Sequence, residues 1–291
     1  GIAFFSKSIP SISVSTTTAS SIQDSTFPMV YLQVGESFIN PLHGYSSELN
    51  SSTVRESITP LDTGKTFAVN IAENDSKIKK LSYELRDIAN NKSIETGDIT
   101  AFDKNKKYKV ATVHLKEAMD TSTEYGFCMT LITNYSKKIH FYTRIKYYDN
   151  DFFLSKKLDF VAKFHAATFD QGKSLDLSQY LESGTNDDSS YESVDIHSSR
   201  KLITWGKLKP KKLTDVVPTV KELNIETAAI SQTYFVSATT ASGSETYQVK
   251  EFYRVRYSGG RIYLLYFKRT MEAIFDPSLI SINKSEVKIG I

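Results

Sequence analysis

Residues 247 to 269 read YQVKEFYRVRYSGGRIYLLYFKR, and few stretches restrict a chain's choices so tightly. Gly259-Gly260 is the signature of a two-residue hairpin turn, because glycine takes positive φ at both central positions without steric cost. The arms on either side alternate apolar or aromatic residues with charged ones, which is the period of a strand. Centring the turn on the two glycines sets Tyr257 against Ile262, Val255 against Leu264, Tyr253 against Tyr266 and Glu251 against Lys268. The opposite face then sets Arg256 against Tyr263, Arg254 against Leu265 and Phe252 against Phe267. The register agrees with itself on both faces, so the sequence predicts a long antiparallel ribbon.

The same period runs through the first half of the chain. MVYLQV (29–34), TFAVNIA (66–72), IKKLSYELRD (78–87), KVATVHL (109–115), YGFCMTLIT (125–133) and IHFYTRIKYY (139–148) are strand candidates separated by polar turns. Short strands at this spacing predict an Ig-like β-sandwich over residues 27–150. In DFFLSKKLDFVAKFHAATFD the period lengthens: Leu154, Leu158, Val161, His165 and Thr168 share one helical stripe, with Ser155 as a cap. SLDLSQYLESG reads as a second short helix that Gly184 stops. Strands resume at ESVDIHS (192–198), KLITWGKL (201–208) and ISQTYFVSATT (230–240), and RTMEAIFD (269–276) reads as a helical tail. The expectation is a mainly β chain: a sandwich, a short helical connector, and a second α+β or β-rich domain within 151–291.

Composition narrows the function. With 36 basic and 33 acidic residues the net charge is +3, too mild for a dedicated nucleic-acid binder. The lysine clusters KIKK, KNKKYK and KLKPKK read as solvated turns and edges, or as attraction to an acidic surface. The single cysteine, Cys128, rules out an internal disulfide and reads as a small buried hydrophobe. No run of 18 apolar residues is present to span a membrane. The opening IAFF followed by a Ser/Thr-rich tract over 1–26 reads as the outer end of an N-terminal membrane anchor and a tether.

The search for chemistry is mostly negative. There is no nucleophile elbow, phosphate loop, dinucleotide fingerprint or HExxH, and no cofactor or metal is implied. Asp195 and His197, two apart in ESVDIHS, read as a carboxylate–imidazole pair on one strand face, or as half a metal site with no third ligand in view. With His165 they form a candidate hydrolase site near the domain junction, set against the reading of His165 as a satisfied interior histidine.

The other candidates are for binding. HFYTRIKYY and EFYRVRY share one plan, β-branched and aromatic residues inward and Tyr with Arg or Lys outward. Tyr142, Arg144 and Lys146 in the first row, and Arg254 and Arg256 in the second, carry the residue types enriched in binding hot spots. Stacking of rings and guanidinium groups that merely finishes a sheet surface is the alternative. Trp205, the only tryptophan, reads as core packing or as a stacking platform for a sugar ring.

The Ser/Thr tract behind an apolar stub, the sandwich pattern, the abundance of Lys, Asn and Ile, and stretches such as LHGYSSEL and IHSSRKLITWG carry a resemblance. The chain resembles membrane-anchored extracytoplasmic proteins of low-GC Gram-positive bacteria. That resemblance transfers no catalytic residue. It implies an extracytoplasmic setting, and the outward Tyr/Arg rows add the expectation of a non-catalytic scaffold or sensor that binds a protein partner at the membrane or cell wall; a carbohydrate- or wall-polymer-binding module, resting on the sandwich and Trp205, is the alternative, and a hydrolase at the domain junction comes last.

Overall fold

The computed structural model describes residues 27–51, 54–182, 190–241 and 243–275. The stub and tether of 1–26, Gly184 and most of the loop that follows it lie outside the described residues. The chain is mainly β, with several antiparallel sheets and few helices. It divides into two compact units, one ending at Phe152 and the other beginning at Phe153; the first also takes Thr219–Leu223.

The first unit holds β1 (Met29–Val34), β2 (Ser37–Leu42), β3 (Ile58–Leu61), β4 (Thr66–Ala72), β5 (Ile78–Asp87), β6 (Lys92–Ile99), β7 (Asp103–Asn105), β8 (Tyr108–His114), β9 (Glu124–Thr133) and β10 (Lys138–Tyr147). They form two five-stranded sheets, ordered β2-β1-β4-β8-β7 and β3-β10-β9-β5-β6. The sheets pack through their apolar faces: Phe67 of β4 meets Phe127 of β9 edge to face, with ring centroids 5.3 Å apart. All pairs are antiparallel except β3 with β10. Asn40 stitches this corner together. It sits at φ 53 in the left-handed region that Asn tolerates, beside the irregularity in the β1–β2 register. Its buried amide donates to Ile58 O at 2.8 Å and accepts from Val220 N–H at 2.8 Å.

The second unit starts with α1 (Leu154–Phe169) and continues through β11 (Ser193–Asp195), α2 (Arg200–Ile203) and β12 (Lys211–Lys212). After β13 (Thr219–Leu223), the strand given to the first unit, come three long strands: β14 (Thr227–Thr240), β15 (Gly243–Ser258) and β16 (Arg261–Ala273). The sheet order is β11-β16-β15-β14-β12. One face of this sheet carries α1, where Phe164 meets Tyr253 at 5.6 Å and Phe267 at 4.9 Å between ring centroids.

Several expectations are corrected here. Ser155 does not cap α1; Phe153 does, at φ 53, with no side-chain hydrogen bond. The inward stripe holds at Leu154, Val161, His165 and Thr168, but Lys157 rather than Leu158 is buried, its ammonium donating to Asn224 O and Ile225 O at 2.8 Å each. SLDLSQYLESG yields only the 3-10 turn Leu177–Gln179. KLITWGKL is not a strand. Ser199 caps α2 by accepting from Leu202 N–H, and Trp205 and Gly206 then leave the helix at φ 69 and 50. RTMEAIFD is not a helical tail, because β16 runs on to Ala273 against Tyr247 of β15.

The hairpin turn stands where expected, with Gly259 at φ 60 and Gly260 at φ 77. Tyr257↔Ile262, Arg256↔Tyr263 and Val255↔Leu264 pair as read. A bulge then inserts one residue, and the partners become Arg254↔Tyr266, Tyr253↔Phe267, Phe252↔Lys268 and Glu251↔Arg269. The shift has a packing reason. It turns Phe267, Arg269 and Met271 into the core and leaves Leu265 and Tyr266 together on the outer side.

Candidate functional site

The two strand rows singled out by composition have opposite fates. On β10 the row is covered. Tyr142 is 4% and Arg144 5% exposed. Backbone N–H and C=O of Tyr45 pair with those of His140, and the Tyr142 hydroxyl accepts from Leu49 N–H at 2.7 Å. Burial pushes that phenol up to about 12. The Arg144 guanidinium donates to Lys221 O at 2.7 Å and to Ser57 O at 3.3 Å, and lies 3.4 Å from Glu124 Oε1. Lys146 donates to Leu223 O at 3.4 Å, and the Tyr148 hydroxyl donates to the same carbonyl. Cations and phenols on this row therefore satisfy the carbonyls of β13 and of the chain near Ser57. They are internal mortar of the first unit, not the outward surface expected of Tyr142, Arg144 and Lys146.

Cys128 lies on this same face, opposite Tyr142, and is half-buried rather than in the core. Burial holds its thiol up to about 11, which keeps it protonated and unreactive.

On β15 and β16 the row is open. Arg254 and Arg256 are exposed, as expected of them. Tyr263 is 41% and Leu265 43% exposed, large for such side chains. Arg256 faces Tyr263 next to the turn, and beyond it the bulge brings Arg254 opposite Tyr266 and Lys268 opposite Phe252. Phe252 and Tyr266 also approach each other, with centroids 6.2 Å apart, and Arg261 lies 5.4 Å over the Tyr263 ring. Arg256 pairs with Glu226 at 3.4 Å, a surface contact of little weight.

Beneath this sheet, on the face that carries α1, lies a buried polar cluster centred on Glu251. Its carboxylate accepts from Gln232 Nε2 at 2.7 Å, Tyr253 hydroxyl at 2.7 Å, Tyr234 hydroxyl, and His165 Nδ1 at 2.9 Å. Burial alone would raise this carboxyl, but the His165 imidazole and the hydrogen bonds outweigh it and hold Glu251 at about 2. His165 Nε2 lies 2.9 Å from Lys212 Nζ. Burial lowers Lys212, whose ammonium end sits 5.4 Å from the Phe169 ring centroid. Opposite Glu251 in the ladder, buried Arg269 donates to Ile203 O at 2.8 Å and Leu202 O at 3.1 Å, closing the end of α2.

Trp205 is 1% exposed, and the Arg269 guanidinium carbon stacks 3.4 Å from its ring centroid. Its face is occupied, so it presents no platform to a sugar. His165 answers to Glu251 and Lys212. Asp195 accepts the backbone N–H of His197 at 2.8 Å, not its imidazole, because β11 ends at Asp195 and the chain turns. The His197 ring instead lies 3.6 Å from Glu182. His165, Asp195 and His197 thus have separate partners, and the Asp195–His197 dyad is not formed.

Sequence reasoning found His165 but missed Glu251, Tyr234, Gln232 and Lys212 around it. An acid at an inward position of an otherwise apolar strand face was the available signal. Among the described residues no group of three or more His, Cys, Asp or Glu is arranged to hold a metal ion. No helix among them is long and apolar enough to cross a membrane. A scan against models of known protein families and a search of curated proteins each found no match.

Proposed function

We propose that the protein is a non-catalytic binding module, a scaffold or sensor part of a cell-envelope assembly, and that it holds a protein partner on the outer face of β15 and β16. The observation that carries this reading is the open ladder in which Arg254, Arg256 and Lys268 each stand opposite an aromatic ring, beside half-exposed Tyr263 and Leu265. Tyr supplies large contact area with two side-chain torsions and Arg a planar fork of donors, and both are enriched among the residues that dominate the energetics of protein interfaces. A stable sheet rather than a mobile loop presents them, so little ordering cost falls on binding. The envelope setting rests on the Ser/Thr tract and on the resemblance drawn from the sequence.

The test is affinity capture from gently solubilised native membranes with the full chain as bait. Wild type retains a stoichiometric protein, and the double reversal Arg254→Glu, Arg256→Glu loses it while its melting is unchanged. Equal retention by the reversed variant refutes the assignment of the face.

A further inference from the structure

The outer face of the hairpin has a charge imbalance that restricts what its partner can be. Arg254, Arg256, Arg261 and Lys268 are exposed on the strands, and the acid paired among them is Glu226, bound to Arg256. Arg254 has no ion-pair partner among the described residues. Between the cations lie Phe252, Tyr263, Leu265 and Tyr266. Two of these, Leu265 and Tyr266, stand side by side because the bulge inserts an extra outward residue.

Such a bulge is a placed feature: the core register needs one residue fewer, and the extra one serves the outer side. Resting on the binding role proposed above, we infer that the partner presents an acidic polypeptide segment, with apolar side chains spaced between its carboxylates. The rings and Leu265 bury the apolar side chains. Three guanidinium groups and an ammonium receive the carboxylates, and Arg takes a carboxylate through two parallel hydrogen bonds. A bare anionic membrane would use the cations but would not require rings held in register opposite them, and neither would a polyphosphate.

The experiment places a photo-crosslinking residue at Leu265 in the full-length chain in native membranes, followed by mapping of the adduct. The expected adduct is a segment of another polypeptide in which Asp and Glu outnumber Lys and Arg. Its yield should fall at least tenfold between 50 mM and 500 mM salt, since exposed charge pairs are screened. A polypeptide adduct with no acidic excess, or one insensitive to salt, overturns this inference and leaves the binding role standing. A lipid or glycan adduct, a second copy of this chain, or no adduct overturns both. Vesicles containing 30% anionic lipid serve as the membrane probe: flotation of the protein with them, lost in the Arg254→Glu, Arg256→Glu variant, would also overturn it.

Discussion

Arg144 and Arg254 sit in nearly the same local sequence, YTRIKYY and FYRVRY, yet one is buried and the other open. The difference is what covers them. Arg144 gives a hydrogen bond to Lys221 O, 77 positions along the chain, and no local pattern can announce such a cover. Arg144→Ala takes the guanidinium donor from the Lys221 carbonyl and one of several donors from the Ser57 carbonyl, and should cost about 1–3 kcal/mol in urea unfolding. Arg254→Ala touches only an exposed position and should stay within about 0.5 kcal/mol. Equal losses would mean the two faces were misassigned. The same logic applies to Glu251, whose four donors surround a carboxylate that is 1% exposed. Glu251→Leu strands His165 and both tyrosines and should lose about 3–5 kcal/mol by the same assay. Trp205, stacked under Arg269, should resist quenching by acrylamide, and free quenching would contradict its burial.

The elements were legible where alternation is clean and turn chemistry strong, and illegible where either fails. Gly259-Gly260 located the turn and the three pairs nearest it. The bulge was hidden because Leu264, Leu265, Tyr266 and Phe267 are four apolar residues in a row, which fit either face and so specify no register. KLITWGKL alternates well enough for a strand, but a serine cap at its start and the carbonyl contacts of a distant arginine hold it helical. Removing the bulge separates its two roles. Deletion of Leu265 keeps Val255 with Leu264 and Tyr253 with Phe267, so the core register survives. The variant should melt within about 1 kcal/mol of wild type while retaining less partner. A collapsed fold on this deletion would show that the bulge serves the core.

At the scale of the molecule, the sequence foretold a mainly β chain with a helix after the first block of strands. It did not foretell that a five-residue strand from the second half belongs with the first unit. Nor did it show that the second unit keeps a charged group at its centre, with consequences for pH. Glu251 has its carboxyl held at about 2 against an ordinary 4.5, so the folded state binds the proton less readily than the unfolded one. Its stabilisation is therefore complete above pH 4.5 and is lost as pH falls through 4.5 toward 2, by on the order of 3 kcal/mol. Chemical unfolding between pH 6 and 2.5 reads this directly, and Glu251→Gln should flatten that part of the curve.

The most direct test of the account is arginine-selective dicarbonyl labelling of the full chain, free and in the captured complex, with each site read by mass spectrometry. The free protein should be labelled at Arg254, Arg256 and Arg261 and spared at Arg144 and Arg269, and the complex should lose labelling at those three exposed positions. Undiminished labelling of Arg254 and Arg256 in the complex, or rapid labelling of Arg144 in the free chain, would contradict it.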